Sequence, residues 1–162
     1  MDTTRSDIVK ILMGQIGNDD IVIASTGYIS REVFKYDRCL NFYVMGAMGN
    51  ALAIGIGIAL HVPNRVFVIN GDGSALMSLG TMVTMKSLNL KNLYHFIIDN
   101  GMHESTGGQL TSSRFIDFKL FNNNTIVFKA GKDDSIPPRI TISPKEMTRR
   151  FSIAITSGYK RI

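Results

Sequence analysis

The sequence predicts an α/β fold: a single domain in which a mostly parallel sheet is flanked by helices. Three observations lead to it. Short runs rich in β-branched and aromatic residues, at Ile21 to Ala24, Val66 to Ile69 and Leu93 to Ile98, alternate with stretches of helical periodicity. Each run ends on a small polar turn: Ser25-Thr26-Gly27, Gly71-Asp72-Gly73 or Asp99-Asn100-Gly101. A chain of 162 residues, 44% of them hydrophobic, suits one domain with a real core.

In chain order, residues 4–16 read as a first helix after a Thr or Ser cap, with Ile8, Val9, Ile11, Leu12 and Ile16 as its apolar stripe. Asp19-Asp20, a solvated turn, opens the strand Ile21 to Ala24. In the turn that follows, the hydroxyls of Thr26 and Ser30 either reach a phosphate or cap the helix beginning near Arg31. Asn41 to Val44 is a further strand, and a helix runs on to Leu60. On that helix Gly49, Ala53 and Gly57 form a small-residue face for close backbone approach, beside a ridge of Met48, Leu52, Ile56 and Leu60. Cys39 to Asn64 carries no Asp, Glu, Lys or Arg, but its glycines and Pro63 favour a buried helix over a membrane span.

Val66 to Ile69, the turn Gly71-Asp72-Gly73, a helix from Ser74 to about Leu90 built on Leu76, Leu79, Val83 and Leu90, and the strand Leu93 to Ile98 make a βαβ unit. Both of its turns fall at the carboxyl ends of parallel strands, where open α/β sheets bind ligands. Asp72 and Asn100 would face one another across that cleft. A carboxylate, an amide oxygen and a nearby carbonyl are hard donors suited to Mg²⁺, and the glycines let N–H groups approach a diphosphate. Taken singly, Asp-Gly and Asn-Gly are common turn dipeptides. After Asn100 the segment Gly101 to Gln109 is a polar loop carrying the candidate catalytic residues His103, the histidine best placed to meet substrate or transfer a proton, and Glu104. His95 sits in an apolar strand as an internal histidine. Ser112 to Asn124 is a short bridge into the strand Thr125 to Lys129, and Pro144 to Ala154 is the last helix.

The net charge of +5 comes from scattered basic residues, with small concentrations at Arg149-Arg150 and Lys160-Arg161. Without a basic–aromatic stripe, no nucleic-acid partner is expected. The one cysteine, Cys39, excludes an internal disulfide, fits a reducing, cytoplasmic setting, and is expected to be packed in the interior. Residues 1–10 are polar and charged, with no secretory signal.

The GDG of residues 71–73, followed after the 25 residues Ser74 to Ile98 by Asp99-Asn100, resembles the signature of thiamine diphosphate enzymes. Asp99 stands where the family has a first Asn. The resemblance implies that Asp72, Asn100 and the carbonyl of Met102 hold Mg²⁺, and that Gly71, Gly73 and Ser74 meet the cofactor's diphosphate. Met45 to Gly49 is similar to the segment preceding GDG in the decarboxylases. By that match the carbonyl of Gly46 would accept from the aminopyrimidine, and Met48 would wedge the cofactor into its bent shape.

TGYISRE, NFYVMGAMGNALAIGIGIAL, INGDGSALMSLGT and DNGMHESTGGQ together resemble the diphosphate-binding domain of phosphonopyruvate decarboxylase and of the sulfopyruvate decarboxylase β subunit. The likeness implies decarboxylation of a 2-oxo acid bearing a second anion, with Arg31, His103 and Ser105 as candidate anion contacts. It also implies a partner, since the glutamate that activates the cofactor comes from a pyrimidine-binding subunit or domain, in a hetero- or homo-oligomer. A non-catalytic cofactor-binding or oligomerisation subunit is the other reading. The bridge Ser112 to Asn124 stands where the family would have a further helix–strand–helix segment, so the carboxyl-terminal part is shortened.

Overall fold

The computed structural model describes residues 3–157, so the Lys160-Arg161 pair lies outside it. Five parallel strands form the sheet: β1 (Ile21–Ala24), β2 (Asn41–Tyr43), β3 (Val66–Gly71), β4 (Leu93–Asp99) and β7 (Thr125–Lys129), in the order β2-β1-β3-β4-β7. The registers run Ile21 against Val66, Val66 against Leu93 and His95 against Thr125. Nearly every residue of β1, β3 and β4 is buried, because helices cover both faces.

Successive side chains point to opposite faces. Ile21, Ile23, Val66, Val68, Leu93 and Ile97 pack with Leu52 and Ile56 of α3 (Ala51–Ala59) and with Met82 and Met85 of α5 (Leu79–Leu88). Val22, Ala24, Phe67, Ile69, Phe96 and Ile98 meet α1 (Arg5–Gln15) and α2 (Tyr28–Phe34) on the other side. The last helix, α6 (Pro144–Ser157), puts Phe151 into the first cluster and Met147 into the second. After β1 the chain turns to β2 and then crosses back to β3 on β1's other side. The sheet's switch point therefore lies between the carboxyl ends of β1 and β3, and the crevice opens there.

Local chemistry explains most boundaries and several departures from expectation. Thr4 caps α1 in a capping box, its hydroxyl accepting from Asp7 N at 3.2 Å while Asp7 Oδ2 accepts from Thr4 N at 3.1 Å. The stripe of α1 is Ile8, Val9, Leu12 and Met13, while Ile11 is 56% exposed. Asp20 is not a solvated turn residue: it is buried and accepts from Arg65 Nε at 2.9 Å and Nη2 at 2.6 Å.

The helix expected from Ser74 to Leu90 is broken into α4 (Asp72–Leu76) and α5 around Met77-Ser78. The break shifts the helical phase, so Met82 and Met85 face the core and Val83 is exposed. On α3 the expected small-residue face is inverted. Ala53 and Gly57 face solvent, and Gly55 makes the close approach, a Cβ there falling 2.3 Å from Val68 Cγ2. Met48 and Leu60 of the expected ridge lie at the surface, as does Cys39, so the cysteine's interior placement is overturned. The bridge after Thr111 contains two 3-10 turns, Ser113–Phe115 and Phe118–Leu120, with Phe118 plugging the core. Among the described residues no helix is long and apolar enough to cross a membrane.

Candidate active site at the switch point

The crevice is bounded by the turn after β1, the β3–α4 junction and the segment after β4. No loop intervenes between β3 and α4: the strand ends at Gly71 and the helix begins at Asp72, so the expected glycine turn is a direct strand-to-helix bend. The segment after Asn100 is a small hairpin rather than open loop. Its strands are β5 (Met102–His103) and β6 (Gln109–Leu110), with a 3-10 turn at Glu104–Thr106 between them.

Most of the residues singled out from the sequence line this one cleft. Thr26 and Met48 bound one side, Gly71 to Ser74 form the floor, and Asn100, Met102, His103 and Glu104 form the far wall. Ser30 and Gly46 line a neighbouring cleft that shares Thr26. The main cleft's accessible volume is only about 70 Å³, well below the several hundred Å³ of a typical enclosed ligand pocket. Any larger ligand is therefore only partly enclosed by this chain.

Asp72 is 2% exposed, and burial is the main reason its carboxyl pKa is raised; the nearby Asp99 charge adds to the rise. The Thr111 hydroxyl, donating to Asp72 Oδ2, and the Gly73 backbone oppose it. A cation would relieve that desolvation. Asn100 Oδ1 accepts from Met102 N at 3.1 Å, which turns the amide oxygen back along the hairpin. Asp99, where the resemblance has an amide, is tied down by Ser113 Oγ at 2.8 Å and by Lys129 Nζ. Among the described residues no three His, Cys, Asp or Glu side chains gather to hold a metal. The donor set at this cleft is instead one carboxylate, one amide and a carbonyl, which fits a hard divalent cation.

His103 lies directly over Gly73: a Cβ on Gly73 would come 2.4 Å from His103 Cε1, 2.7 Å from its Nδ1 and 3.3 Å from Met48 Cε. Gly73 is thus a cradle shared by imidazole and methionine, and only glycine leaves it open. Glu104 is paired with the buried guanidinium of Arg5, and its Oε1 accepts from Asp133 N at 3.3 Å. Ser74 Oγ accepts from Ser25 Oγ at 2.9 Å and from Gly49 N at 3.1 Å, and donates to Asn70 Oδ1 at 3.3 Å. Asn70 Nδ2 lies 2.9 Å from His95 Nε2. Burial pushes the His95 imidazole down to about 3, so it is neutral. A polar chain therefore runs from mid-sheet to the floor of the cleft.

The hydroxyls of Thr26 and Ser30 serve neither as helix caps nor alike. Thr26 Oγ1 accepts from Gly46 N at 3.3 Å, whereas Ser30, inside α2, donates to Gly27 O at 3.0 Å. Sequence reasoning missed Arg5, Ser25 and Thr111. A basic residue in the first turn of an amphipathic helix gives no local sign of burial, and the two hydroxyls meet the cleft only through the sheet's topology.

A GDG bend, an Asn-bearing turn and a glycine cradle thus share the carboxyl edge of a parallel sheet, where open α/β domains bind their ligands. Residues 24–133 match the thiamine pyrophosphate enzyme C-terminal TPP-binding domain, and the chain belongs to that family. It is 44% identical over 115 residues to phosphonopyruvate decarboxylase of Streptomyces viridochromogenes, covering 70% of this chain and 29% of that protein. It is 35% identical to the sulfopyruvate decarboxylase β subunit of Methanococcus maripaludis, covering 96% of this chain and 99% of that one. That alignment spans 184 positions, more than the whole chain, so the relative carries residues with no counterpart here. A solved structure from Mycobacterium smegmatis, put forward as a thiamin diphosphate-dependent enzyme, superposes with a TM-score of 0.58 at 21% identity; it covers 73% of this chain and 24% of that chain, and shows the shared fold.

Proposed function

We propose that the chain is the diphosphate-binding half of a thiamine diphosphate- and Mg²⁺-dependent decarboxylase acting on a 2-oxo acid with a second anionic group, converting phosphonopyruvate to phosphonoacetaldehyde. The observation that carries the reading is the meeting of Asp72, Asn100 and Met102 in one cleft above the Gly73 cradle. When bound, thiamine diphosphate supplies the electron sink that lets a 2-oxo acid lose CO₂. In this reading Asp72, Asn100 and the Met102 carbonyl hold Mg²⁺, and Gly71, Gly73 and Ser74 meet the diphosphate, while Thr26 stands at the cleft's edge with its Oγ1 accepting from Gly46 N. The Gly46 carbonyl accepts from the aminopyrimidine, with Met48 as the apolar wedge and Ser30 supporting the turn. His103, its Nδ1 edge near Gly73, holds or delivers a proton at the substrate. Glu104, tied to Arg5, acts by holding the hairpin that presents His103.

The activating glutamate would come from a separate pyrimidine-binding chain, so residues 1–162 act as one diphosphate-binding unit within an oligomer. The chain's match to nearly the full length of a protein named as a β subunit supports that division. The same match favours a second reading, with sulfopyruvate as substrate, whereas the higher identity over 115 residues favours phosphonopyruvate. A cytoplasmic setting goes with either.

Calorimetric titration of the chain with thiamine diphosphate, with and without Mg²⁺, tests the site. Mg²⁺-dependent binding is expected. No binding by the folded chain, even with a pyrimidine-binding partner present, would overturn it. Turnover of phosphonopyruvate against sulfopyruvate by the reconstituted pair decides the substrate, and cofactor binding without turnover would mark a non-catalytic subunit.

A further inference from the structure

Most of the arginines are engaged: Arg65 with Asp20, Arg149 with Glu146, Arg150 with Asp37, and Arg38 with three carbonyls of the Gly17–Asp20 turn. Arg31, Arg114 and Arg139 are not: among the described residues none of the three has a hydrogen bond or an ion pair. Of these, Arg31 and Arg139 line the same open cleft of about 440 Å³ beside the candidate cofactor site. No carboxylate lines that cleft, and Val44, Ile140 and Ile142 give it an apolar floor.

Two details aim the cleft at an anion. The Arg31 guanidinium packs on the Tyr28 ring, its Cζ 5.3 Å from the centroid, with Arg5 on the same ring at 5.0 Å. A cation–π contact of this kind holds the guanidinium against the ring without using its N–H donors. Tyr28 lines the main cleft, so one ring separates Arg31 from it. On the shared edge, Thr26 Oγ1 accepts from Gly46 N, so its own proton is available to donate outward.

We propose that Arg31 and Arg139, with the Thr26 hydroxyl, bind a tetrahedral oxyanion, the distal phosphonate or sulfonate of the substrate. Two guanidinium forks and a hydroxyl match three oxygens on one centre, whereas a planar carboxylate offers two. The assignment rests on the cofactor reading above, which places the reacting end of the cofactor toward Gly46.

The test uses the full ¹⁵N-labelled chain with Mg²⁺ and thiamine diphosphate, titrated with phosphonopropionate and sulfopropionate and followed by NMR. The expected result is movement of the Arg31 and Arg139 Nε–H signals and of the Thr26 and Gly46 amides. R31M/R139M should weaken that binding about tenfold and leave cofactor affinity unchanged. Movement at Gly73 and Ser74 alone, equal affinity for propionate, or equal affinity for inorganic phosphate each overturns the assignment to a substrate tail. Cofactor binding without an anion response overturns this site alone. An anion response without cofactor binding supports the site and counts against the cofactor reading instead.

Discussion

The guanidinium of Arg5, 2% exposed, grips the Glu104 carboxylate at the edge of the cleft and so fastens the first turn of α1 to the hairpin that carries His103. The same group lies 3.2 Å from Asp133 and 3.6 Å from Glu32, and Lys35 meets Glu32 at 2.6 Å. Three carboxylates thus converge on one buried cation. Removing it leaves buried charge uncompensated, so Arg5→Met should cost about 3 kcal/mol in urea unfolding. Glu104→Gln, which keeps an acceptor, should cost roughly 1 kcal/mol. Equal, negligible losses would show that the cluster is solvated rather than built.

Asp72 presents a trade between stability and binding. Its pKa is raised in the folded chain, chiefly by burial, so its ionised form opposes folding: stability is fullest below the unfolded pKa and falls as pH rises through the folded one. Asp72→Asn should therefore make the cofactor-free chain more stable at pH 7, with its Tm losing that pH dependence. Mg²⁺-dependent thiamine diphosphate binding should disappear in the same variant. A stabilised protein with unchanged cofactor affinity would remove Asp72 from the metal set.

The strands and the two strand ends that face the cleft were legible because continuous β-branched runs and Gly-Asp or Asn-Gly stops are local signals, although the first stop is a strand-to-helix bend rather than a turn. What failed to show was tertiary. Val83 and Met82 are adjacent apolar residues, and only the break at Met77-Ser78 decides which one faces the sheet. Gly55 and Gly57 are equally small, and only the position of Val68 tells which approach is close. At the site, Asp72, Asn100 and His103 could be named from residue type and spacing. Arg5 could not, since it reaches the cleft from a helix far away in sequence, and Thr111 could not, since only the β5–β6 hairpin folds it back onto Asp72.

Two glycine-to-alanine substitutions should separate packing from function. At Gly55 the new methyl meets Val68 in the core, and an overpacked core costs on the order of 1–3 kcal/mol. At Gly73 it meets only the far ends of the His103 and Met48 side chains, which can rotate aside, so stability should change little while cofactor affinity falls. Chemical denaturation and calorimetry on both variants check this. A Gly73→Ala protein that binds the cofactor normally would mean that the cradle is not where the diphosphate lies.

His95 gives the acid limb of the stability curve a specific cause. It is fully buried in β4, with Nε2 against Asn70 and Nδ1 without a hydrogen-bond partner, and burial pushes its pKa from 6.5 to about 3. A depressed folded pKa means that the unfolded chain binds the proton first. The contribution is complete above the unfolded value and is lost as pH falls from 6.5 toward 3. Between pH 6.5 and pH 4.5 the native chain should lose about 2 kcal/mol from this group. His95→Gln, which cannot take up that proton and keeps an acceptor for Asn70, should flatten the limb even if it lowers stability at pH 7. Urea midpoints at the two pH values decide it: parallel losses in both proteins would place the acid sensitivity elsewhere.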